Sequence, residues 1–324
     1  MEESEFDDIL DDWFIESLKT YKDLFVYQLE GPSRVIEWTS RQTVCVAGCT
    51  SSKNEILELR LPQKLFATGN KGLCAERDFK VVHGGFTDGP VCCLRHVPGT
   101  RCVVTNDGRS SDLQVWDLGG DDGETESADP LSSLSFVSDA VFLAGCCNGN
   151  VYIADMRTSA APQLSPPPAS SGESVLWWTD ASTGLDPSSC RIVRLSSSGQ
   201  AVISDLRIPA AAVSRAQLDV PTRHCNLDDV QVSWSPALDG CIAVSGFSGA
   251  VQIYNTSVWG AEPQEARPLF EHRGHAVSPQ SADGVPVFVA SHVWHPERPR
   301  TLLSAASDGS VHVWDWVDRS AAIC

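Results

Sequence analysis

The chain has 324 residues, 42% hydrophobic and 20% charged, enough to bury a large core. Its net charge is −18 and it has no cluster of Lys and Arg, which argues against a surface that tracks nucleic-acid phosphates or captures an anionic membrane. No apolar run is long enough to span a bilayer, and the acidic start MEESEFDDILDDW reads as neither signal nor transit peptide. The expected location is therefore the cytoplasm, with nuclear access left open.

The first predicted element is an amphipathic helix over 8–21. Ile9, Trp13, Phe14, Ser17, Leu18 and Tyr21 follow helical spacing, with acidic residues opposite and Asp7 or Asp8 as a cap. Such a stripe either packs on the protein's own rim or is offered to a partner's groove. Residues 1–23 are thus read as an acidic N-terminal segment, and 24–324 as one domain. The next run, LFVYQLEG (24–31), is a predicted strand.

Downstream, one pattern recurs. Six short runs alternate apolar and polar residues with period two: ILELR (56–60), LQVWD (113–117), VYIAD (151–155), AVISD (201–205), VQIYN (251–255) and VHVWD (311–315). Four follow a tight-turn signal: Asn148-Gly149-Asn150, Ser198-Gly199-Gln200, Ser248-Gly249-Ala250 and Asp308-Gly309-Ser310. Glycine there is expected to supply a positive φ. Another apolar strand precedes each run. Successive closing positions lie 57, 38, 50, 50 and 60 residues apart. The surplus reads as loop: acidic 119–130, Pro/Ser/Ala-rich 159–174, and 256–268 and 276–286. Repeats of this period predict an all-β propeller. Its last unit lacks a fourth strand, and residues 24–29 are the candidate to complete it and remove an exposed edge.

Twelve cysteines raise the question of disulfides or zinc. No C-x-x-C pair exists, and Cys45, Cys92, Cys93, Cys102, Cys146, Cys147 and Cys241 lie in apolar runs such as TVCVAGC and PVCCLRH. They read as reduced thiols acting as small hydrophobes.

The last unit carries the most specific text. Gly274-His275, Trp294, Ser304, Asp308-Gly309 and Trp314-Asp315 resemble one unit of the WD-repeat family. In that family a GH histidine, a strand hydroxyl, a turn Asp and a strand Trp form a buried hydrogen-bond chain. The resemblance assigns those roles to His275, Ser304, Asp308 and Trp314. Only Trp116-Asp117 repeats the WD pair. Stretches such as DDWFIESLKTY, NKGLCAERDFKVVHGGF and SGFSGAVQIYN are similar to a narrower branch of the family. That resemblance implies a non-enzymatic scaffold. Its implied partners are the RNA-cleavage module of the Integrator complex, the accompanying assembly factor and tubulin-associated proteins. It also implies a part in snRNA processing, in microtubule organisation at spindle poles and the cytoskeleton, and in cell-cycle progression. Seven blades are the family expectation, and this chain has six recognisable units. The shortfall falls between Asp117 and Asp155.

Other constellations carry less. His272, His275, His292 and His295 have zinc-like spacing, but residues three apart on a strand face opposite ways. Asp117, Asp155, Asp205 and Asp315 share the end of the third strand, where turn duty outweighs a channel ring of acids. No nucleophile–base pair, phosphate loop or cofactor motif is evident. Two rivals to the scaffold remain. One is a six-bladed hydrolase with a channel metal site, which needs acids or histidines converging on the channel. The other is a peptide reader, which an acidic, aromatic-lined channel mouth would favour.

Overall fold

A computed structural model describes residues 13, 15–17, 20–29, 31–49, 53–62, 79–97, 100–109, 113–118, 120–125, 131–138, 140–155, 157–158, 162–167, 175–182, 190–221, 227–277 and 287–317. Residues 13, 15–17 and 20 are helical, and β1 (Tyr21–Gln28) follows. Blade 1 is β2 (Ser33–Trp38), β3 (Thr43–Cys49), β4 (Asn54–Arg60) and β5 (Lys80–Thr87). Blade 2 is β6 (Cys93–His96), β7 (Cys102–Asn106), β8 (Leu113–Asp117) and β9 (Gly120–Thr125). Blade 3 is β10 (Leu131–Phe136), β11 (Val141–Cys146), β12 (Val151–Asp155) and β13 (Gln163–Ser165). Blade 4 is β14 (Trp177–Ala181), β15 (Arg191–Ser196), β16 (Gln200–Asp205) and β17 (Ile208–Leu218). Blade 5 contributes β18 (Gln231–Trp234), β19 (Cys241–Ser245) and β20 (Val251–Asn255). The chain then lays β21 (Glu265–Ala266) in parallel on the edge of β17 before β22 (Phe270–His272) completes blade 5. Blade 6 is β23 (Val289–Trp294), β24 (Thr301–Ala306) and β25 (Ser310–Trp316).

The six sheets form a ring, a six-bladed β-propeller. Blade 6 is finished by β1, which runs antiparallel to β25 from Tyr21↔Trp316 to Gln28↔Ser310. The strand starts at Tyr21, three residues before the predicted run at 24. The first strands of the blades, β2, β6, β10, β14, β18 and β23, pack side by side around the axis and close on one another. Each junction between blades holds its own apolar cluster. The thickest lies between blades 4 and 5, with Trp178, Leu195, Ile203, Trp234, Tyr254 and Trp259. Two are thin: between blades 2 and 3, Val104 meets Leu131, Leu134, Ala144 and Cys146, and between blades 3 and 4, Leu143 and Val151 meet Ala181, Cys190 and Ile192.

Two expectations need correction. The acidic stretch 119–130 is not simply loop: 120–125 is β9, the outer strand of blade 2. Likewise β13 lies inside the Pro/Ser/Ala-rich stretch. Outer strands face solvent and need no apolar alternation, so periodicity does not reveal them. Gly149, Gly199 and Gly309 take positive φ of 86°, 81° and 83°. In the turn between β19 and β20 of blade 5 the left-handed residue is Gly246 (φ 90°), not Gly249; its Cα sits so close to the Asp229 carbonyl that a Cβ would lie 2.3 Å from it. The cysteines Cys45, Cys93, Cys146, Cys190 and Cys241 are buried free thiols, while Cys92, Cys102 and Cys147 are half-buried.

Candidate functional site

Blade 6 brings His275, Ser304, Asp308 and Trp314 together. Trp314 Nε1 donates to Ser304 Oγ at 3.1 Å, and Ser304 Oγ lies 2.8 Å from His275 Nε2. His275 Nδ1 lies 2.8 Å from Ser310 Oγ, which donates to Asp308 Oδ1 at 2.6 Å. The protons have one consistent order. Asp308 only accepts, so Ser310 must donate to it and take the Nδ1–H of His275. His275 Nε2 then accepts from Ser304, which accepts from the indole. Ser310, absent from the sequence reading, is the link between His275 and Asp308. His275, Ser304 and Trp314 are fully buried, so each of these bonds replaces water that cannot enter.

A second histidine layer lies beside this chain. The ring nitrogens of His272, His275 and His312 come within 4.8 Å of one another, a spacing compatible with a metal. They are nevertheless engaged: His272 Nδ1 by the Tyr21 hydroxyl, His272 Nε2 by His312 Nδ1 at 3.0 Å, and both nitrogens of His275 by serines. The His275 and His312 rings stack with centroids 3.8 Å apart. Burial, followed by the neighbouring imidazoles, holds His272 and His275 well below the usual histidine pKa. Burial lowers His312 to about 4. Neutral imidazoles suit a hydrogen-bonded stack as well as they suit a metal. The zinc-spaced His272, His275, His292 and His295 are not all brought together. His292 is held by Ser233 and Ser245, each at 2.7 Å, and His295 Nδ1 accepts from the backbone N–H of Glu297 and Arg298 in its turn.

The channel is stitched by side chains. The inner edge of each first strand has backbone groups without a strand partner, and the neighbouring blade supplies one. Ser291 Oγ accepts from Ile36 N, and Glu37 Oε1 from His96 N. Arg95 Nε donates to the Leu134 carbonyl, and Ser133 Oγ accepts from Thr179 N. Asp180 Oδ2 accepts from Trp234 N at 2.7 Å, and Gln231 Oε1 from His292 N at 2.8 Å. These six contacts bridge all six junctions. Arg95 also pairs with Glu37 at 3.2 Å. Burial raises the pKa of both Glu37 and Asp180, and the Arg95 guanidinium partly offsets it.

Where the inner strands end, the channel opens into a cavity of about 310 Å3. Each blade contributes its last two inner-strand residues: Glu37-Trp38, Arg95-His96, Ser135-Phe136, Asp180-Ala181, Ser233-Trp234 and Val293-Trp294. Stacking the six strand ends in the sequence would have exposed this layer; the signal is positional, with no spacing motif to flag it.

The remaining predicted residues scatter. Trp116 Nε1 donates to Thr105 Oγ1 at 2.8 Å, a reduced form of the Trp314–Ser304 bond. Asp117 ends β8 opposite Cys102, and its side chain lies outside the described residues. Asp155 and Asp205 do turn duty, each clasping the arginine two residues on, Arg157 and Arg207, through backbone and guanidinium. Ile9, Phe14 and Leu18 lie outside the described residues. Trp13 is helical and half-buried. Tyr21 is not a helix residue presented to a partner. It opens β1, donates to His272, and meets Phe270 and Trp314 edge-on. Strand pairing with β25 overrides the helical spacing at this point.

No family profile matches the chain. Curated relatives do. A Danio rerio protein named Integrator complex assembly factor WDR73 is 42% identical over 368 aligned positions, covering 95% of this chain and 97% of the relative. The chain belongs to the WDR73 family. Homo sapiens and Xenopus laevis WDR73, with the same full name, are 35% and 34% identical, covering 96% and 94% of this chain. The alignment to Danio rerio WDR73 spans 368 positions and takes in 95% of the 324 residues of this chain, about 308, so about 60 of its positions face a gap here. That is more than one WD unit of about 40–45 residues.

Proposed function

We propose that this chain is a non-enzymatic scaffold that assists assembly of the Integrator complex, with the RNA-cleavage module as its client. The observation that carries this reading is the match to relatives named for that role along nearly their whole length. A rigid ring with polar stitching at every junction suits a platform for other proteins. The hydrolase alternative gains little support from the channel. Arg95 occupies the space beside Glu37 where a cation would need to sit, and both nitrogens of His292 are taken by serines. Microtubule organisation and effects at spindle poles sit less well with a net charge of −18, because tubulin tails are acidic. Any such effect is proposed to run through other proteins, and the cytoplasm is the proposed place of action.

The test is affinity capture of the tagged full chain from cells, with quantitative mass spectrometry. Integrator subunits at stoichiometric levels are expected. Recovery of no Integrator subunit above a tag-only control would overturn the reading.

A further inference from the structure

Arg194 is a buried cation without an anion. It lies on β15 of blade 4 between Val193 and Leu195, which face blade 5, and its side chain runs the other way, to the rim of blade 3. Only 1% of it is exposed. Nη1 donates to the Pro209 carbonyl at 2.9 Å, and Nη2 to Ser165 Oγ at 2.8 Å and the Pro166 carbonyl at 3.5 Å. All three acceptors are neutral, and burial lowers the guanidinium pKa to about 10. Nε has no partner among the described residues, and solvent does not reach it. A buried charge in this state is costly until a counter-ion reaches it.

The bare nitrogen has a direction. Nε–H and one Nη2–H of a guanidinium run parallel and form a fork that grips a carboxylate or phosphate through two oxygens. Two other arginines of this chain use that fork, Arg157 on Asp155 and Arg207 on Asp205. Arg194 aims the same edge at Ser165, where a hydroxyl occupies Nη2 and nothing occupies Nε. The Ser165 hydroxyl accepts from Arg194 and donates to no described residue. A second observation is the local sequence, Gln163-Leu164-Ser165-Pro166-Pro167. Pro166 holds Ser165 extended, and a serine followed by proline is the pair that proline-directed protein kinases read. Ser165 closes β13, the three-residue outer strand of blade 3, which pairs only with β12. Ser165 is buried, but Gln163, Leu164, Pro166 and Pro167 are exposed. So short an edge strand opens locally at small cost, which brings the hydroxyl within a kinase's reach.

We propose that Ser165 is a phosphorylation site and that Arg194 is the counter-ion its phosphate meets. In the transfer, Ser165 Oγ attacks the γ-phosphorus of a nucleoside triphosphate. The bond from that phosphorus to the bridging oxygen breaks, the nucleoside diphosphate leaves, and the hydroxyl proton passes to the kinase's base. β13 has no strand on its far side, so it is free to move outward and admit the new group. Two phosphate oxygens then take Nε and Nη2 of Arg194. The buried charge gains its partner. Blades 3 and 4, whose shared apolar cluster is thin, gain an ion pair across their rim.

The experiment treats the purified full chain with ATP, Mg2+ and two proline-directed kinases, one mitogen-activated and one cyclin-dependent, and maps the product by mass spectrometry. Phosphate on Ser165 is expected with at least one of them, and none at that position in Ser165→Ala. Phosphorus NMR then follows the second ionisation of the phosphate, ordinarily at about 6. In the folded chain Arg194 should lower it by about one unit or more, a tenfold shift toward the dianion. Arg194→Gln should return it to the ordinary value. Should that variant fail to fold, the unaltered phosphoprotein supplies its own reference, because the same titration in denaturing urea should read the ordinary value. Four results would each overturn the proposal: no phosphate on Ser165 with either kinase, an ionisation equal in the folded and urea-unfolded chain, an undiminished shift in folded Arg194→Gln, or a phosphoprotein that has lost its fold.

Discussion

The junction between blades 4 and 5 and the junction between blades 2 and 3 solve the same packing problem by unequal means. The first buries sixteen apolar residues, including three tryptophans. The second buries five, and blade 2 contributes only Val104 among them. Their stitches differ too. Asp180 accepts a backbone N–H from blade 5, whereas Arg95 reverses the polarity and donates to a carbonyl of blade 3. The thin junction lies where the repeat spacing is shortest, 38 residues from Asp117 to Asp155, and the WDR73 relatives align over more positions than this chain has. Fewer buried apolar side chains meet there than between blades 4 and 5, and the Arg95 guanidinium adds a polar link across the seam.

Four experiments test this contrast. Trp314→Ala removes a fully buried ring and the donor of the blade 6 chain, so a loss of about 3–5 kcal/mol is expected in denaturant unfolding. Trp116→Ala, at the same place in blade 2 but half-buried, should cost about 1–2 kcal/mol. Equal losses would erase the distinction. Arg95→Met strips the thin junction of its stitch and leaves Glu37 unpaired, at a cost of about 3 kcal/mol. Hydrogen exchange should then accelerate in β6 and β10 while β14 and β18 keep their protection; uniform acceleration would count against a local seam.

Ser304→Ala orphans both the Trp314 N–H and His275 Nε2, for about 2 kcal/mol, while Thr105→Val should cost below about 1 kcal/mol because water can reach the Trp116 indole. The smallest effect is a pH dependence. His272, His275, His292 and His312 all have folded pKa values below the ordinary 6.5, so the unfolded chain binds their protons first. Their contribution is complete above that value and is lost as pH falls through it toward the folded values. Between pH 7.5 and 6.5 each accounts for about 0.4 kcal/mol. Glu37 and Asp180, with raised pKa values, run the opposite way. A comparison of unfolding midpoints in the intact chain and in His312→Gln isolates one histidine: the variant should lose less stability over that interval. An identical slope would refute neutral burial of His312.

The second and third strands of every blade were legible because their side chains alternate between two buried faces. Runs such as VHVWD and TLLSAA announce themselves. The outer strands were not, since a strand like KVVHGGFT leaves Val81 and Phe86 60% and 70% exposed and shows no apolar face. At the candidate site, His275, Asp308 and Trp314 were readable from local pairs such as GH and WD. Ser310 and His312 were not, because their roles arise only once His272 and His275, from the end of blade 5, pack against β25, and Tyr21 was not, because its role needs β1 to lie on β25. Glu37, Arg95 and Asp180 sit in different blades, so nothing in their local text marks them as neighbours.

The pairing of β1 with β25 also sets a clock. Tyr21 meets Trp316 across almost the whole length of the chain, while every other strand partner within blades 1 to 3 is close in sequence. Closing so long a loop costs roughly 4 kcal/mol more entropy than closing a hairpin turn of a few residues, and no gain arrives until both strands exist. During synthesis, blades 1 to 5 can form in turn, but β1 must wait for the last strand to emerge. Until then Tyr21 lacks its seat against Phe270 and Trp314, and blade 6 offers an unpaired edge to any passing strand. The window for misassembly is therefore greatest just before completion, and chaperone demand should peak at that moment.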